Sequence, residues 1–558
     1  MVKTAFFIAN DWQRTSSGGS FMTLALSHGA SPQHRLWSLN SLQDALRLAA
    51  RHPDNGIETL NAEGERSFWR YADFYPQAIA ASHALAEAGI KPGERVLLRL
   101  LCPADFALSL WGCLLLGAVA VPIAAGQPWP ENEQALTQAL AALKLIRPAA
   151  MIGAGRDLAH FRLLQKNMPQ AQMPVIDVAM LRARPASREL TRTVARGDDL
   201  AVIFPTSGST GQPKLVTQSV RALLAMAAGS AQMNNFTEQD VFLNWMPMEH
   251  VGSVAFLGIL PTCCAAQQIH LATAWVEADL GRFPRQVAQN RATVGWVPNH
   301  VFSQLAQCQA APDWDFSSLR FLVNAGESIS DQMVHCVRQF AGYGLTGAAL
   351  RPAFGMSETC SGLTWSDGDG HRIRGYVDSG MPIPGASLRV TGAKGELLRE
   401  GEVGDLQVRG PSVTRGYFNG EAESCFLPEG WFVTGDRAFL QQGRLYITDR
   451  EGDGIEGIAM PGYQLEAELE RLPGVRAGYT AVCMAAGLIG IFYVVQTGAD
   501  AQTVASRVAQ RAGEIIDAVP YRLFRCESQN IPRTSIGKIQ RKVLRRRLAG
   551  MIEQEAVE

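Results

Sequence analysis

Short apolar runs of strand length recur along the first two thirds of the chain: RVLLRL (95–100), AAMIG (149–153), DLAVIFP (199–205), TVGWVP (293–298) and LRFLVNAG (319–326). Longer stretches of helical spacing separate them, and that alternation predicts mostly parallel sheets with helices on their faces. From about 385 to 447 the pattern changes to glycine-rich segments with short alternating strands (SLRVTG, GDLQVRG, GRLYITD), which predicts a small antiparallel sheet or barrel. EGDGIEG follows Arg450 as a candidate joint, and the last hundred residues read as a small α+β unit. The expected fold class is therefore α/β: a large N-terminal domain (1–449, with 1–40 an irregular polar lead-in), a hinge (450–456), and a small mobile C-terminal cap (457–558). Phe106–Ala125 runs for twenty residues without a charge. Its expected form is a buried helix to about Gly117 followed by the strand AVAVPI, with a membrane span as the alternative.

Composition narrows the function classes. The 558 residues are 47% hydrophobic and 18% charged, too apolar for disorder. Lys+Arg 51 against Asp+Glu 52 gives a net charge of -1, so no global electrostatic case for nucleic acid exists. The ten cysteines contain no C-x-x-C pair, which argues against a structural zinc site or a secreted disulfide scaffold and makes a reduced, cytoplasmic chain the default. The N-terminal apolar stretch, stopped at Asn10 and Asp11, is too short for a secretory signal. KIQRKVLRRRL (538–548) carries six Lys/Arg and no acid; it reads as a solvated helix face, or as a docking surface for an acidic partner.

The strongest chemical signal is FPTSGSTGQPKLV (204–216). An apolar strand runs into Thr206, Ser207, Gly208, Ser209, Thr210 and Gly211, with Lys214 beyond. Glycines let the backbone approach an anion, and hydroxyls and N–H groups supply donors to phosphate oxygens. It is not a Walker A loop, because the second glycine lies three residues before the lysine and Leu215 follows it.

With T-S-G-S-T-G-x-P-K in place, the chain resembles the AMP-forming adenylating enzymes: acyl-CoA synthetases, fatty acyl-AMP ligases, luciferases and the adenylation domains of peptide synthetases. Further motifs occur in the order of that superfamily: AFGMSET (353–359), Thr434-Gly435-Asp436, Asp449-Arg450 and PRTSIGKIQR (532–541). The resemblance covers roughly residues 40 to 550. It implies ATP and Mg²⁺, with a carboxylate attacking the α-phosphate while pyrophosphate leaves, so that cations and donors must await the growing phosphoryl charge. It implies Lys538 as the catalytic lysine bridging substrate carboxylate and phosphate, Glu358 as the Mg²⁺ ligand and Ser357 as a phosphate donor. Ala353, Phe354 and Gly355 would border adenine, Asp436 would take the ribose hydroxyls with Arg450 nearby, and Gly326, Glu327 and Ser328 (NAGES) would edge the nucleotide; a plain strand-to-helix turn is the alternative for the last three.

YGL…ALRPAFGMSE, LNWMPMEHVGS (243–253) and GWVPN (295–299) resemble fatty acyl-AMP ligases and the loading ligases of polyketide–peptide assembly lines. Those relatives pass the acyl group to the phosphopantetheine thiol of a carrier protein. No carrier segment is visible in the sequence, so the expected acceptor is a separate carrier. Threading by motif assigns the acid pocket to Glu249, His250, Ser253, Asn299, Val323, Ala325, Ala353, Ser361 and Gly362. A fatty-acid tunnel should be mostly apolar, since dry polar groups cost roughly 1–3 kcal/mol each. A buried carboxylate suits an ammonium, which favours a small amino acid or other polar acid. The alternative for Glu249 is a pair with His250 that merely shapes the loop. Fatty acyl-AMP ligase, acyl-CoA synthetase and non-catalytic nucleotide-binding regulator are the competing functions.

The pattern breaks at the joint. DREGDGIEGIAMPGYQLEAELE is two residues shorter than the family's hinge segment when Gly457 and Glu466 are aligned, and Gly452 stands at the pivot. Glycine widens the backbone angles available to a rotating joint and removes a side chain that would position the cap.

Overall fold

The computed structural model describes residues 23–125, 140, 143–166, 173–189, 194–207, 213–308, 311–326, 338–368, 370–418, 420, 423–450, 454, 455, 458, 460–517, 519–534 and 536–555. The element that positions most of the site is a nine-stranded sheet. Its order is Met381–Pro382, Ser361–Trp365, Leu350–Met356, Phe321–Asn324, Val294–Trp296, Val241–Asn244, Gln267–Leu271, Gly56–Leu60 and Arg66–Arg70. The six strands from Leu350–Met356 to Gly56–Leu60 pair in parallel, with antiparallel strands at the margins. A six-stranded sheet (Val175–Asp177, Ala150–Gly153, Arg95–Leu98, Val119–Pro122, Leu200–Ser207, Pro213–Ser219) is parallel except for its last pair.

The apolar runs read as strands are strands, because continuous Val/Ile/Leu sequence suits strands covered on both faces. The twenty-residue uncharged run splits into a wholly buried helix, Pro103–Leu116, and the strand Val119–Pro122. Pro103 opens the helix at its first turn, and Gly117 ends it at φ 79°. No helix among the described residues is long and apolar enough to cross a membrane.

A five-stranded antiparallel sheet holds Leu26–His28, Ser387–Thr391, Gly404–Arg409, Phe432–Gln441 and Arg444–Arg450. Its first strand corrects the expectation of an irregular lead-in up to residue 40. Leu26–His28 is an edge strand on Ser387–Thr391, and Ala25 is fully buried. Arg35–Ser38 forms a 3-10 turn, tied by the Trp37 indole N–H to Gln232 Oε1 at 3.1 Å. Three residues pairing with a partner some 360 positions away leave no local periodicity to detect.

From Ile455 onward the chain builds two apolar cores of its own around Val475–Ala485, Leu488–Val495 and Tyr521–Arg525. The helices Gly462–Glu470, Ala501–Ile515 and Arg541–Glu555 flank that sheet. Most of the expected hinge, Gly452 included, lies outside the described residues. Along the basic tail, Arg541 is paired with Glu466 and Arg547 donates to the Asn530 carbonyl, so part of that charge is spent inside the unit.

Candidate functional site

A cavity of about 940 Å³ opens where the nine-stranded sheet meets the C-terminal unit. The chain runs from Val241–Asn244 to its neighbour Gln267–Leu271, then crosses to Val294–Trp296 on the other side. That reversal of strand order leaves a crevice at the carboxyl ends of the parallel strands, where open α/β sheets bind ligands. The segments leaving those ends supply Glu249 and His250, Asn299, Ala325 and Gly326, and Met356 to Glu358 to the cavity wall.

A β-hairpin forms the next wall. Leu200–Ser207 pairs antiparallel with Pro213–Ser219, setting Thr206 opposite Lys214 and Ser207 opposite Pro213. Thr206 and Lys214 line the cavity. Gly208, Ser209, Thr210 and Gly211, and likewise Glu327 and Ser328, lie outside the described residues.

Leu350–Met356 brings Ala353, Phe354 and Gly355 to the same cavity. A bulge between Phe354 and Gly355 breaks the pairing with Ser361–Trp365, and a Cβ on Gly355 would lie 2.1 Å from the Ser361 carbonyl oxygen. Only glycine permits that approach. The 3-10 turn Ser357–Thr359 follows, and Cys360 leaves it in a left-handed conformation. The turn is pinned from outside: Gln218 Nε2 donates to the Ser357 carbonyl at 2.6 Å, and Thr414 N–H donates to the Glu358 carbonyl at 2.7 Å. The buried Glu358 carboxylate accepts the Tyr417 hydroxyl at 2.9 Å, while Lys214 Nζ lies 5.1 Å from the Tyr417 ring centre. Sequence reasoning missed Tyr417. It reaches the site because its segment pairs with Leu215, Val216 and Thr217 some 200 positions earlier, which no local spacing announces.

Asp436 and Arg450 are register partners in the five-stranded sheet, with Arg450 Nε 3.8 Å from Asp436 Oδ1. Burial raises the Asp436 pKa above the usual carboxylate range, and the charges of Arg450 and Lys538 oppose that rise. Lys538 lines the cavity from the C-terminal unit. Its charge also reaches His250, whose pKa falls to about 4, mainly through burial. The neutral His250 accepts the Gly252 N–H on Nδ1 at 3.1 Å, so the ring proton belongs on Nε2.

Among the expected pocket residues, Glu249, His250, Asn299, Ala325, Ala353, Ser361 and Gly362 line this cavity. Ser253 and Val323 do not. Val323 is wholly buried in the main apolar core, and the Ser253 hydroxyl donates to Asn244 Oδ1 at 3.3 Å and the Met246 carbonyl at 3.4 Å. The Ser361 hydroxyl is buried at the wall with no hydrogen-bond partner among the described residues. A Mg²⁺ ion keeps most of its ligands as water and phosphate oxygens and needs only one or two carboxylates. Glu358, with one oxygen held by Tyr417, fits such a site.

The AMP-binding enzyme family model matches residues 47–418. The nonribosomal peptide synthetase apvA of Aspergillus terreus is 26% identical over 470 residues, covering 79% of this chain and 50% of that protein. The chain spans about half the length of the curated relatives it matches. A solved structure of McyG A-PCP complexed with phenylalanyl-adenylate superposes with TM-score 0.86 at 31% identity, covering 95% of this chain and 86% of that one. The adenylation domain of a keto acid-selecting NRPS module, bound to keto acyl adenylate, superposes with TM-score 0.71 at 26% identity, covering 90% and 100%. The family model spans more than half of the sequence and the fold is that of adenylation domains; the chain belongs to the AMP-binding enzyme family and is an adenylating enzyme.

Proposed function

We propose that the chain activates a small amino acid or other polar acid and loads it onto the phosphopantetheine thiol of a separate carrier protein. In the first step a carboxylate oxygen bonds to the α-phosphorus of ATP, the bond to the β-phosphate oxygen breaks, and pyrophosphate leaves. In the second, the thiol gives up its proton to solvent, its sulfur bonds to the acyl carbon, the bond from that carbon to the phosphate oxygen breaks, and AMP leaves with the electron pair. Lys538 bridges carboxylate and phosphate, Ser357, Thr206 and Lys214 hold phosphate oxygens, and Asp436 with Arg450 takes the ribose. Gly208, Ser209, Thr210, Gly211, Glu327 and Ser328 complete the nucleotide site in this reading, and Glu358 holds Mg²⁺, which neutralises phosphate charge when bound.

The observation that carries the reading is one cavity lined by Lys538, the Ser357–Glu358 turn and the Asp436–Arg450 pair, with Lys538 close enough for its charge to act on Asp436. Glu249 on the same wall is the clamp proposed for an α-ammonium group. A 2-keto acid is the second reading. It is favoured by His250, whose remaining polar atom is a neutral N–H donor suited to a keto oxygen and unsuited to an ammonium.

Acid-dependent ATP–pyrophosphate exchange tests all of this. The panel is the twenty amino acids, their 2-keto analogues and a ladder of fatty acids. Exchange with one amino acid, abolished by Glu249→Ala, supports the clamp. Exchange with a keto acid that survives Glu249→Ala supports the second reading, and exchange with fatty acids alone overturns both. Lys538→Ala is expected to lower the rate by about 10²–10³.

A further inference from the structure

The helix Asn299–Gln307 leaves the carboxyl end of Val294–Trp296 and packs against the strand Val475–Ala485 of the C-terminal unit. His300, next to the expected pocket residue Asn299, occupies the contact. A Cβ on Gly537 would lie 2.2 Å from His300 Cε1 and 2.3 Å from Nε2. A Cβ on Gly478 would lie 2.9 Å from His300 Cβ. Both glycines adopt positive φ, +79° and +76°, and neither leaves room for a Cβ: Gly537 lies against the His300 ring and Gly478 against its Cβ and backbone. His300 Nδ1 is buried with no hydrogen-bond partner among the described residues. Burial and the Arg533 charge take its pKa down to about 3, so the ring in the slot is neutral and acts by shape.

The segment it touches is tightly built. Gly537 N–H donates to the Thr534 carbonyl, Lys538 N–H to Thr534 Oγ1, and Thr534 N–H to the Lys538 carbonyl. Arg533 donates to the Gly537 carbonyl and lies 4.4 Å from the Tyr479 ring centre, with Arg476 4.3 Å from the same ring. On the far side, a Cβ on Gly326 would meet Ile536 Cδ1 at 3.9 Å. The described residues of the segment are thus hydrogen-bonded within their own unit, and they meet the elements leaving the nine-stranded sheet at Gly326 and His300.

We propose that His300 is a positioning residue for Lys538: its imidazole, set against Gly537 while its Cβ and backbone rest on Gly478, registers the lysine-bearing loop against the cavity. The role rests on the assignment of Lys538 made above. Misplacing a reacting group by about 1 Å costs on the order of 100-fold, so a change of this contact reads in kcat rather than in substrate affinity.

Two measurements on the full chain test it. Alanine is a good helix former, so His300→Ala leaves the Asn299–Gln307 helix intact. Hydrogen–deuterium exchange of the free protein is expected to show faster uptake in peptides covering 531–541, with the Ala501–Ile515 helix unchanged. In ATP–pyrophosphate exchange His300→Ala is expected to lower kcat by about 10- to 100-fold, with KM for ATP and acid within about 2-fold, and to cause no further loss in a Lys538→Ala background. Unchanged uptake in 531–541, a rise in KM at constant kcat, or losses that multiply in the double variant would each overturn the proposal. Wild-type protein silent with every acid would count against the function proposed above, and the deuterium measurement would then decide on His300 alone.

Discussion

Glu358 is a buried carboxylate whose side-chain donor among the described residues is a phenol, not a cation, and that choice matters at the level of single atoms. The Tyr417 hydroxyl holds Oε1 at 2.9 Å. Burial, then the Glu358 charge, raises the Tyr417 pKa, so the hydroxyl stays protonated and donating over the physiological range. A neutral donor orients the carboxylate without cancelling the charge a metal–phosphate group would need, whereas a salt bridge would compete for it. A hydrogen bond to a charged group is worth about 1.5–3 kcal/mol. Tyr417→Phe should therefore lower the exchange rate by about tenfold and raise the half-saturating Mg²⁺ concentration, measured by titrating the metal at fixed ATP. An unchanged Mg²⁺ requirement would show that Tyr417 serves packing alone.

At the scale of elements, a directional hydrogen-bond chain runs beneath the cavity wall that carries Glu249 and His250. Tyr71 donates to the Ala266 carbonyl at 2.7 Å, and Gln268 Nε2 donates to the Tyr71 hydroxyl at 2.7 Å and Thr262 Oγ1 at 3.0 Å. Gln268 Oε1 must then accept from His270 Nε2 at 2.8 Å, leaving His270 Nδ1 to accept from Asn244 Nδ2 at 3.1 Å. Asn244 Oδ1 finally accepts Met246 N–H at 3.0 Å and the Ser253 hydroxyl. The chain ends at the Gly252–Ile259 π-helix, whose wide turns recur at functional sites, and it fixes the loop carrying Glu249 and His250. Ser253→Ala is expected to cost about 1 kcal/mol in urea unfolding while leaving the order of acids in the exchange assay unchanged; a reordered acid preference would return Ser253 to the pocket. Ser253 also marks where sequence reasoning reaches its limit. Linear motifs with fixed spacing lead to Thr206, Lys214, Glu358, Asp436, Arg450 and Lys538, because loops at strand ends carry their chemistry in consecutive residues. The inward or outward turn of one side chain depends on partners such as Asn244 and Met246, and contacts such as Tyr417–Glu358 and His300–Gly537 join segments 59 and over 200 positions apart. The apolar runs within the strands Arg95–Leu98 and Phe321–Asn324 are legible for the opposite reason: burial on both faces writes itself into neighbouring letters.

For the whole molecule, the C-terminal unit holds its contact strand through two acids on one helix, Gly462–Glu470. Glu466 accepts Val482 N–H at 2.7 Å and pairs with Arg541, while Glu470 accepts Thr480 N–H at 2.9 Å and the Gly478 N–H. Gly478 is the residue that receives His300, so the Glu470 carboxyl lies one hydrogen bond from the contact between the two parts of the site. Burial raises the Glu470 pKa from 4.5 to about 7. A raised carboxyl pKa means that the folded state holds a proton the unfolded chain has released, so the wild-type protein loses stability as pH climbs from 4.5 to 7 and is level above that. Glu470→Gln removes the titration and keeps an acceptor oxygen for the strand. The stability of the variant relative to wild type is therefore expected to rise with pH by roughly 3 kcal/mol between pH 4.5 and 8, read from the slowest-exchanging amides of Val475–Ala485 at each pH. Were the difference to stay flat over that window, Glu470 would be ionised in the folded protein at the lower pH, and the two backbone N–H groups would outweigh its burial.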